Sequence, residues 1–450
     1  MKRKIYDRLL EWKRNEATGA AFMIDGARRV GKSYIAEAFA KNEYRSYVMI
    51  DFAKVPKEVK SLFERYQDKL DTLFLKLSEY FGVRLHERET LFIFDEVQMC
   101  PKARESIKHL VADGRYDYLE TGSLVSIDEN VEDIVIPSEE IRVKMYPMDF
   151  EEFLWAKGDD MTMDFVRSHY AGRESLGQLL HRKVLDAFRE YMIVGGMPQA
   201  VAEFVKSADL GKVDAVKRRI IKLYREDIRK HAGRYALKTE QVFDSLAAQL
   251  SRHEKKFRLS SLGVNVRMRE YEDAFLWLKE AMVVNVCYRS TEPSIGLGIN
   301  ADSSTLKCYA VDTGLLISLA FSEKQVLAEQ IHKRLLFDSL ELNKGMLVEN
   351  VVAQLLAAAG YELYFFSTSS ESARSERMEI DFLIPAASIG RSHNIRPVEV
   401  KSSKRYDHTS LDKFRAKYRR NLSPPVVLHT KDVAEKDGVT YLPLYMASLL

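Results

Sequence analysis

Gly26-Ala27-Arg28-Arg29-Val30-Gly31-Lys32-Ser33 lies between the apolar run Ala20-Ala21-Phe22-Met23-Ile24 and the amphipathic stretch Tyr34 to Lys41. The apolar run reads as a buried strand. The amphipathic stretch reads as a helix with Ile35, Ala38 and Phe39 on one side. A glycine-rich turn from a strand into a helix N-terminus aims backbone N–H groups into one concavity, where phosphate oxygens fit and the helix dipole adds to the attraction. Lys32 can then reach the β- and γ-phosphates, and the Ser33 hydroxyl is set to ligate Mg²⁺. The motif predicts an α/β nucleotide-binding core, with ATP as ligand and Mg²⁺ as its companion.

A second motif adds hydrolysis. Leu91-Phe92-Ile93-Phe94-Asp95-Glu96 is an apolar strand ending in two adjacent carboxylates. Asp95 would hold Mg²⁺ through water, and Glu96 would polarise the attacking water, the task of a positioned base in phosphoryl transfer. Without a phosphate loop upstream, the same residues would read as a strand running into a solvated acidic turn. Tyr116-Asp117-Tyr118-Leu119-Glu120 is a further strand, followed by Thr121-Gly122-Ser123. Thr121 and Ser123 are candidates to bond the γ-phosphate or the lytic water; they equally fit routine turn chemistry.

At 450 residues, 46% apolar and 30% charged, the chain has the composition of a multi-domain globular protein. It holds no apolar run long enough to span a bilayer, so no membrane role is expected. The N-terminal Met1-Lys2-Arg3-Lys4-Ile5 is basic but lacks the apolar core of a signal peptide. Cys100, Cys287 and Cys308 have no metal-ligand spacing and suit a reducing compartment, which points to the cytoplasm. A net charge of only +3 means that nucleic acid, if bound, is bound by local patches.

Four strands, Ala20–Ile24, Tyr47–Phe52, Leu91–Phe94 and Tyr116–Glu120, alternate with helices and predict a parallel sheet covered on both faces. Ile134–Pro137 and Ile141–Tyr146 are candidates for a fifth. Residues 150 to 235 read as helical, broken by the tight turn Val194-Gly195-Gly196-Met197-Pro198. A helix at Glu240–His253, a short turn near Arg258–Gly263, a helix at Arg269–Ala281 and the β-rich Val283–Tyr288 follow the order of a winged helix. In a DNA-reading version Arg267, Arg269 and Lys279 would approach the groove; in the other, these basic residues are solvated. The expected domains are an ATPase core over 1–155, a helical subdomain over 156–235, a winged-helix-like region over 236–325 and a small α/β domain over 326–450.

The last third carries a second constellation. Met378–Ile384 reads as a strand holding Asp381, and Pro397-Val398-Glu399-Val400-Lys401 as a strand with Glu399 and Lys401 on one side. Met346–Ala359 is an apolar helix in which Glu349 shares the face of Leu356. A buried carboxylate is costly unless paired or bound to metal. Glu349, Asp381 and Glu399 could hold one or two Mg²⁺, with Lys401 steering water or stabilising charge on phosphorus. Glu-x-Lys alone is weak, since Glu11-Trp12-Lys13 and Glu58-Val59-Lys60 match it in helical surroundings. The order helix-Glu, strand-Asp, strand-Glu-x-Lys resembles the PD-(D/E)XK nuclease superfamily. The same order also suits a nuclease-like core kept as scaffold, its charges forming a buried salt-bridge network.

Taken along the whole chain, the sequence resembles a prokaryotic family of AAA-type P-loop ATPases with a C-terminal domain of unknown function 4143. The matching pieces are Gly26–Ser33, Phe94-Asp95-Glu96, Thr121-Gly122-Ser123, Tyr146–Leu154, Gly195-Gly196-Met197-Pro198, Tyr309–Leu315, Val348-Glu349-Asn350, Glu379-Ile380-Asp381-Phe382 and Val398–Ser402. The resemblance implies nucleotide contacts from Gly26, Arg29, Val30, Gly31, Lys32, Ser33, Tyr34, Thr121 and Ser123. The family's Gly-Arg pair is replaced here by Glu139-Glu140-Ile141-Arg142, which leaves Arg142 as the candidate γ-phosphate sensor; Arg225 and Arg229 are other candidates. Metal ligation falls to Ser33, Asp95, Glu349, Asp381 and Glu399, and catalysis to Lys32, Glu96, Asp381, Glu399 and Lys401. The expected activity is ATP hydrolysis coupled to DNA binding or cleavage. The alternative is a nucleotide-dependent switch that holds a protein partner or a second copy of the chain, with a silent nuclease-like scaffold.

Overall fold

The structure is a computed structural model that describes all residues except 123–137, 253–254, 264–265, 322–343, 369–375, 387–393 and 404–406. The described chain falls into two compact units, Met1–Tyr146 and Pro147–Leu450. Ser123 and the strand candidate Ile134–Pro137 lie outside the described residues.

In the first unit, α1 (Ile5–Asn15) precedes β1 (Ala21–Asp25), α2 (Lys32–Glu43), β2 (Ser46–Asp51), α3 (Lys57–Arg65), α4 (Leu70–Phe81), β3 (Thr90–Asp95), α5 (Pro101–Glu105), α6 (Ile107–Asp113), β4 (Asp117–Gly122) and β5 (Glu140–Lys144). The strands form one parallel sheet in the order β2-β3-β4-β1-β5. β1 and β3 are buried on both faces, which is why Ala21–Ile24 and Leu91–Phe94 run apolar instead of alternating. Ala21, Met23, Phe92, Phe94 and Tyr118 pack on one face with Val59, Phe63, Leu73, Phe74, Ile107 and Leu110 of α3, α4 and α6. On the other face Phe22 meets Trp12 of α1 at 5.5 Å, and Phe39 of α2 meets Tyr6 at 5.4 Å.

The second unit opens with a run of helices: α7 (Phe150–Ala156), α8 (Thr162–Gly172), α9 (Gln178–Val194), α10 (Pro198–Ser207), α11 (Leu210–His231), α12 (Ala236–Leu250) and α13 (Glu272–Glu280). The hairpin β6 (Val284–Ser290) and β7 (Ala301–Ala310) leads to α14 (Thr313–Ala320) and α15 (Lys344–Ala358). Then come β8 (Leu363–Ser367), β9 (Glu379–Pro385), β10 (Ile395–Val400), α16 (Thr409–Tyr418), β11 (Val426–His429), β12 (Ala434–Lys436) and β13 (Val439–Pro443). Asp149 caps α7 in a reciprocal capping box with Glu152, so Pro147-Met148-Asp149 leads directly into the helix.

The hairpin differs from the expectation of a wing. β6 pairs with β7 on one side and runs parallel to β8 on the other, within a sheet ordered β12-β13-β11-β10-β9-β8-β6-β7. Apolar Val284, Val286 and Cys287 are buried there, and the pairing of β6 with β8 ties the hairpin into the sheet, with β7 as its edge strand, so the hairpin is not a separate two-stranded ribbon. The strands expected in separate regions, 236–325 and 326–450, are therefore hydrogen-bonded in one sheet.

The motifs Gly195–Pro198, Tyr309–Leu315 and Val348–Asn350 meet in the second unit. Asp312, fully buried, accepts from the backbone N–H of Gly196 at 2.5 Å and of Leu315 at 2.8 Å. Met148 N–H donates to the Gly196 carbonyl at 2.7 Å. Asn350 and Gln354 on α15 bond the backbone of Ala310 and Thr313, each at 2.9 Å. A Cβ at Gly196 would stand 2.0 Å from the Met148 carbonyl oxygen, so only glycine lets these segments approach.

Gly196→Ala is expected to cost about 3 kcal/mol, because backbone rather than a movable side chain must give way. Hydrogen exchange should accelerate throughout α9 and α10; unchanged protection would contradict the packing. A second expectation concerns pH. Burial lowers the His429 pKa to about 4, and the neutral ring faces the Asp432 carbonyl at 3.1 Å. The unfolded state binds its proton near 6.5 while the folded state does not. Stability from this site is thus complete above pH 6.5 and falls towards pH 4, by up to about 1.4 kcal/mol per pH unit. His429→Gln should flatten that slope in denaturation midpoints measured across pH 4–7.

Candidate functional site

Sheet register decides what meets beside the phosphate loop. β3 and β4 are parallel neighbours with Phe94 opposite Glu120, so the next residues, Asp95 and Thr121, stand side by side on the face covered by α2. Thr121 Oγ1 donates to Asp95 Oδ1 at 2.5 Å, and Ser33 Oγ from the first turn of α2 donates to the same oxygen at 2.7 Å. Burial raises the Asp95 pKa, and these two hydroxyl donors work against that rise. Glu96 sits in the left-handed region at φ 53°. Its N–H donates to Thr121 Oγ1 at 3.3 Å, and its Oε2 accepts from Gln98 Nε2 at 2.5 Å. A non-glycine residue at positive φ is strained, and such strain gathers at functional sites.

The loop itself is tightly folded. A Cβ at Gly26 would lie 2.4 Å from the Met145 carbonyl oxygen; Arg29 and Gly31 take φ of 72° and 97°. Val30 is buried, while Arg29 and Tyr34 are exposed. Lys32 is buried, its Nζ donating to the carbonyls of Gly26 at 2.7 Å and Ala27 at 3.1 Å. Burial lowers the Lys32 pKa, against the pull of Glu96, Asp25 and Asp95. Arg3, which the motif reading passes over, braces the loop: it donates to the Val30 carbonyl at 2.8 Å and to the Tyr146 carbonyl at 2.7 Å. Arg3 is silent in the sequence because its partners become neighbours only after the sheet has formed; Gln98 is local to Glu96, two residues away, but carries no motif signal of its own.

Arg142 is on β5 opposite Met23, hence on the sheet face turned away from α2. Its Nε donates to Glu140 at 2.5 Å, and buried Arg104 pairs with the same carboxylate at 3.3 Å. Burial, and then the neighbouring Glu140, raise the pKa of fully buried Glu120 well above the carboxylate range. Arg142 thus belongs to a charge cluster with Glu120, Glu140 and Arg104. Arg225 and Arg229 pair with Asp244 and Glu240 of α12 at 2.8 and 2.5 Å.

The C-terminal residues also converge. Asp381 on β9 accepts from the Val400 N–H of β10 at 2.8 Å. Burial, then Glu349 and Glu399, push its pKa up to about 7, with Lys307 opposing. Lys401 Nζ lies 2.8 Å from Glu399. Three further residues fill this region that the sequence reading gave no role: Lys307, Tyr309 and Glu379. Lys307 is fully buried, 3.0 Å from Glu349, 3.0 Å from Glu379 and 3.6 Å from Asp381. Tyr309 donates its hydroxyl to Glu349. A lysine inside the apolar strand Leu306-Lys307-Cys308-Tyr309-Ala310 was the available signal, since such a charge demands buried carboxylates. Among the described residues no group of three or more His, Cys, Asp or Glu side chains is arranged to hold a metal, and no helix is long and apolar enough to cross a membrane.

Comparison with known proteins places an AAA domain at residues 18–154, a domain of unknown function (DUF8612) at 185–325 and a domain of unknown function (DUF4143) at 344–446. The chain therefore carries an N-terminal P-loop ATPase domain and a C-terminal DUF4143 domain. No curated protein matches it. Among solved structures it is similar to the Aeropyrum pernix ORC2 protein, with 12% identity over 74% of this chain and 92% of that one, at a TM-score of 0.33. It is also similar to Cdc6p from Pyrobaculum aerophilum (12%, 75% and 93%, TM-score 0.24). A third is the Aeropyrum pernix ORC1 protein in complex with DNA (11%, 73% and 94%, TM-score 0.28).

Proposed function

From an AAA domain at residues 18–154 and a DUF4143 domain at 344–446, we propose that the chain is a Mg²⁺-dependent ATPase whose nucleotide cycle governs DNA binding by the 147–450 unit. One observation carries the hydrolytic part: Asp95 receives both the Ser33 and Thr121 hydroxyls, with Glu96 as the next residue. The donor set suits the metal, because it is all oxygen and includes a buried carboxylate raised by desolvation. Ser33 and Asp95 would hold Mg²⁺, Asp95 through water. When bound, the ion neutralises charge on the transferred phosphoryl group.

Lys32 would exchange its two loop carbonyls for phosphate oxygens. The loop N–H groups at the start of α2 would take the remaining phosphate charge. Glu96 would accept the proton of the attacking water, with Gln98 fixing one carboxylate oxygen and leaving the other for that task. Thr121, bonded to both Asp95 and the Glu96 N–H, would keep the two carboxylates in register.

For DNA, the support is local charge. Arg267, Arg269 and Lys279 are exposed, and among the described residues no ion pair engages Arg267 or Arg269. The hairpin's place in the sheet favours contact through these side chains over contact through a wing.

Lys32→Ala is expected to abolish nucleotide binding, whereas Glu96→Gln should keep it and lower ATP turnover about 100-fold or more. Fluorescent-nucleotide titration and phosphate release measure the two; undiminished turnover in Glu96→Gln would remove that residue from the chemistry. In DNA titrations over a salt series, Arg267→Ala with Arg269→Ala should flatten the slope of log K against log salt by about 2. An unchanged slope, or wild-type protein with no DNA affinity in any nucleotide state, would turn the proposal towards a protein partner.

A further inference from the structure

The acidic cluster of the second unit is built around a side chain. Lys307 enters from β7, within the 185–325 region, while Glu349, Glu379, Asp381 and Glu399 come from α15, β9 and β10 of the 344–446 region. The Lys307 ammonium has no exposed surface and lies 3.0, 3.0 and 3.6 Å from Glu349, Glu379 and Asp381. Tyr309, two residues along β7 and so on the same face, donates to the Glu349 oxygen that Lys307 also contacts. The second Asp381 oxygen is taken by the Val400 N–H. Lys256 stands 3.8 Å from Glu379, and Lys401 is 2.8 Å from Glu399. Lys255 adds positive charge within electrostatic reach of Glu349 and Asp381.

A divalent ion held by Glu349, Asp381 and Glu399 would compete with these donors, which take both Asp381 oxygens and one oxygen each of Glu349 and Glu399, and would sit beside a buried ammonium of like charge. Lysine cannot leave: it is anchored within β7, its side chain is fully buried, and three carboxylates lie within 3.0 to 3.6 Å of its ammonium. The residues present therefore do not fit the metal that the nuclease resemblance implies.

We propose that Lys307 is the resident cation of this site, supplied by the middle region to neutralise carboxylates of the C-terminal domain. The site takes no divalent ion and cuts no nucleic acid. This goes beyond the ATPase reading and does not depend on it. It also explains why β6 and β7 share a sheet with β8: each region alone would bury half of a charge network, and leaving either half unmatched is strongly destabilising.

The test is Mn²⁺ binding to the nucleotide-free full chain, followed by electron paramagnetic resonance, with plasmid nicking in Mn²⁺ as a second readout. Wild type and Asp381→Asn should bind Mn²⁺ alike and weakly, with no nicking that Asp381→Asn removes. Lys307→Met keeps the stem and drops the charge; it should gain a Mn²⁺ site at least 10-fold tighter, lost again when Asp381→Asn is added. Tight wild-type binding or nicking abolished by Asp381→Asn would overturn the proposal. So would a folded Lys307→Met protein that gains no site. If Lys307→Met does not fold, the comparison of wild type with Asp381→Asn decides alone.

Discussion

Removing an ionised side chain from water costs several kcal/mol per ion after relaxation, and the cost is met only where partners and hydrogen bonds are supplied in good geometry. This protein buries many such groups, among them Asp95, Arg104, Glu120, Asp214, Lys217, Lys307, Asp312, Glu349 and Glu399. Each is answered in a different way. Asp95 receives two hydroxyls, Asp312 receives backbone N–H groups from two turns, and Lys217 donates to the Ile193 carbonyl at 2.8 Å. Glu120 is answered by neutrality, its pKa raised by burial and by Glu140. For Asp95, Lys217 and Lys307 the partners lie far away along the chain, so meeting these demands constrains where the elements pack.

That constraint separates two kinds of site. Around the phosphate loop the polar groups are incompletely matched: Lys32 rests on carbonyls of its own loop, and the Asp95 donors are neutral hydroxyls that leave its raised pKa only partly offset. A site in this condition has something to gain from an anionic ligand and a cation. Around Lys307 the carboxylates have a charged partner supplied by the chain itself, on several sides. Such a network favours one arrangement of strands and gains nothing from a ligand.

Strand and helix positions in the first unit were legible because β1 and β3 are built on continuous apolar runs, Ala21–Ile24 and Leu91–Phe94, and the loop from Gly26 to Ser33 fixes the connection. Asp95 and Glu96 were legible for the same reason. Arg142 was not, because strand register turned it to the face opposite α2 and next to Glu140. The wing reading of β6 and β7 followed from local order alone. It could not register that β8, more than seventy residues on, would pair with β6.

What the sequence determined by itself are the features carried by short spacing: a phosphate loop between strand and helix, two carboxylates at a strand end, Glu-x-Lys on one side of a strand, and a glycine pair at a tight turn. These depend on backbone conformation and on side-chain periodicities of about two and 3.6 residues, which neighbouring residues set. Tertiary structure alone decided which distant groups share a buried volume. It set Arg3 across the loop, put Gly196 against Met148, and drove Lys307 between Glu349, Glu379 and Asp381. Charge pairing in a low-dielectric interior acts through space and ignores chain order, so its outcome is written only in the folded arrangement.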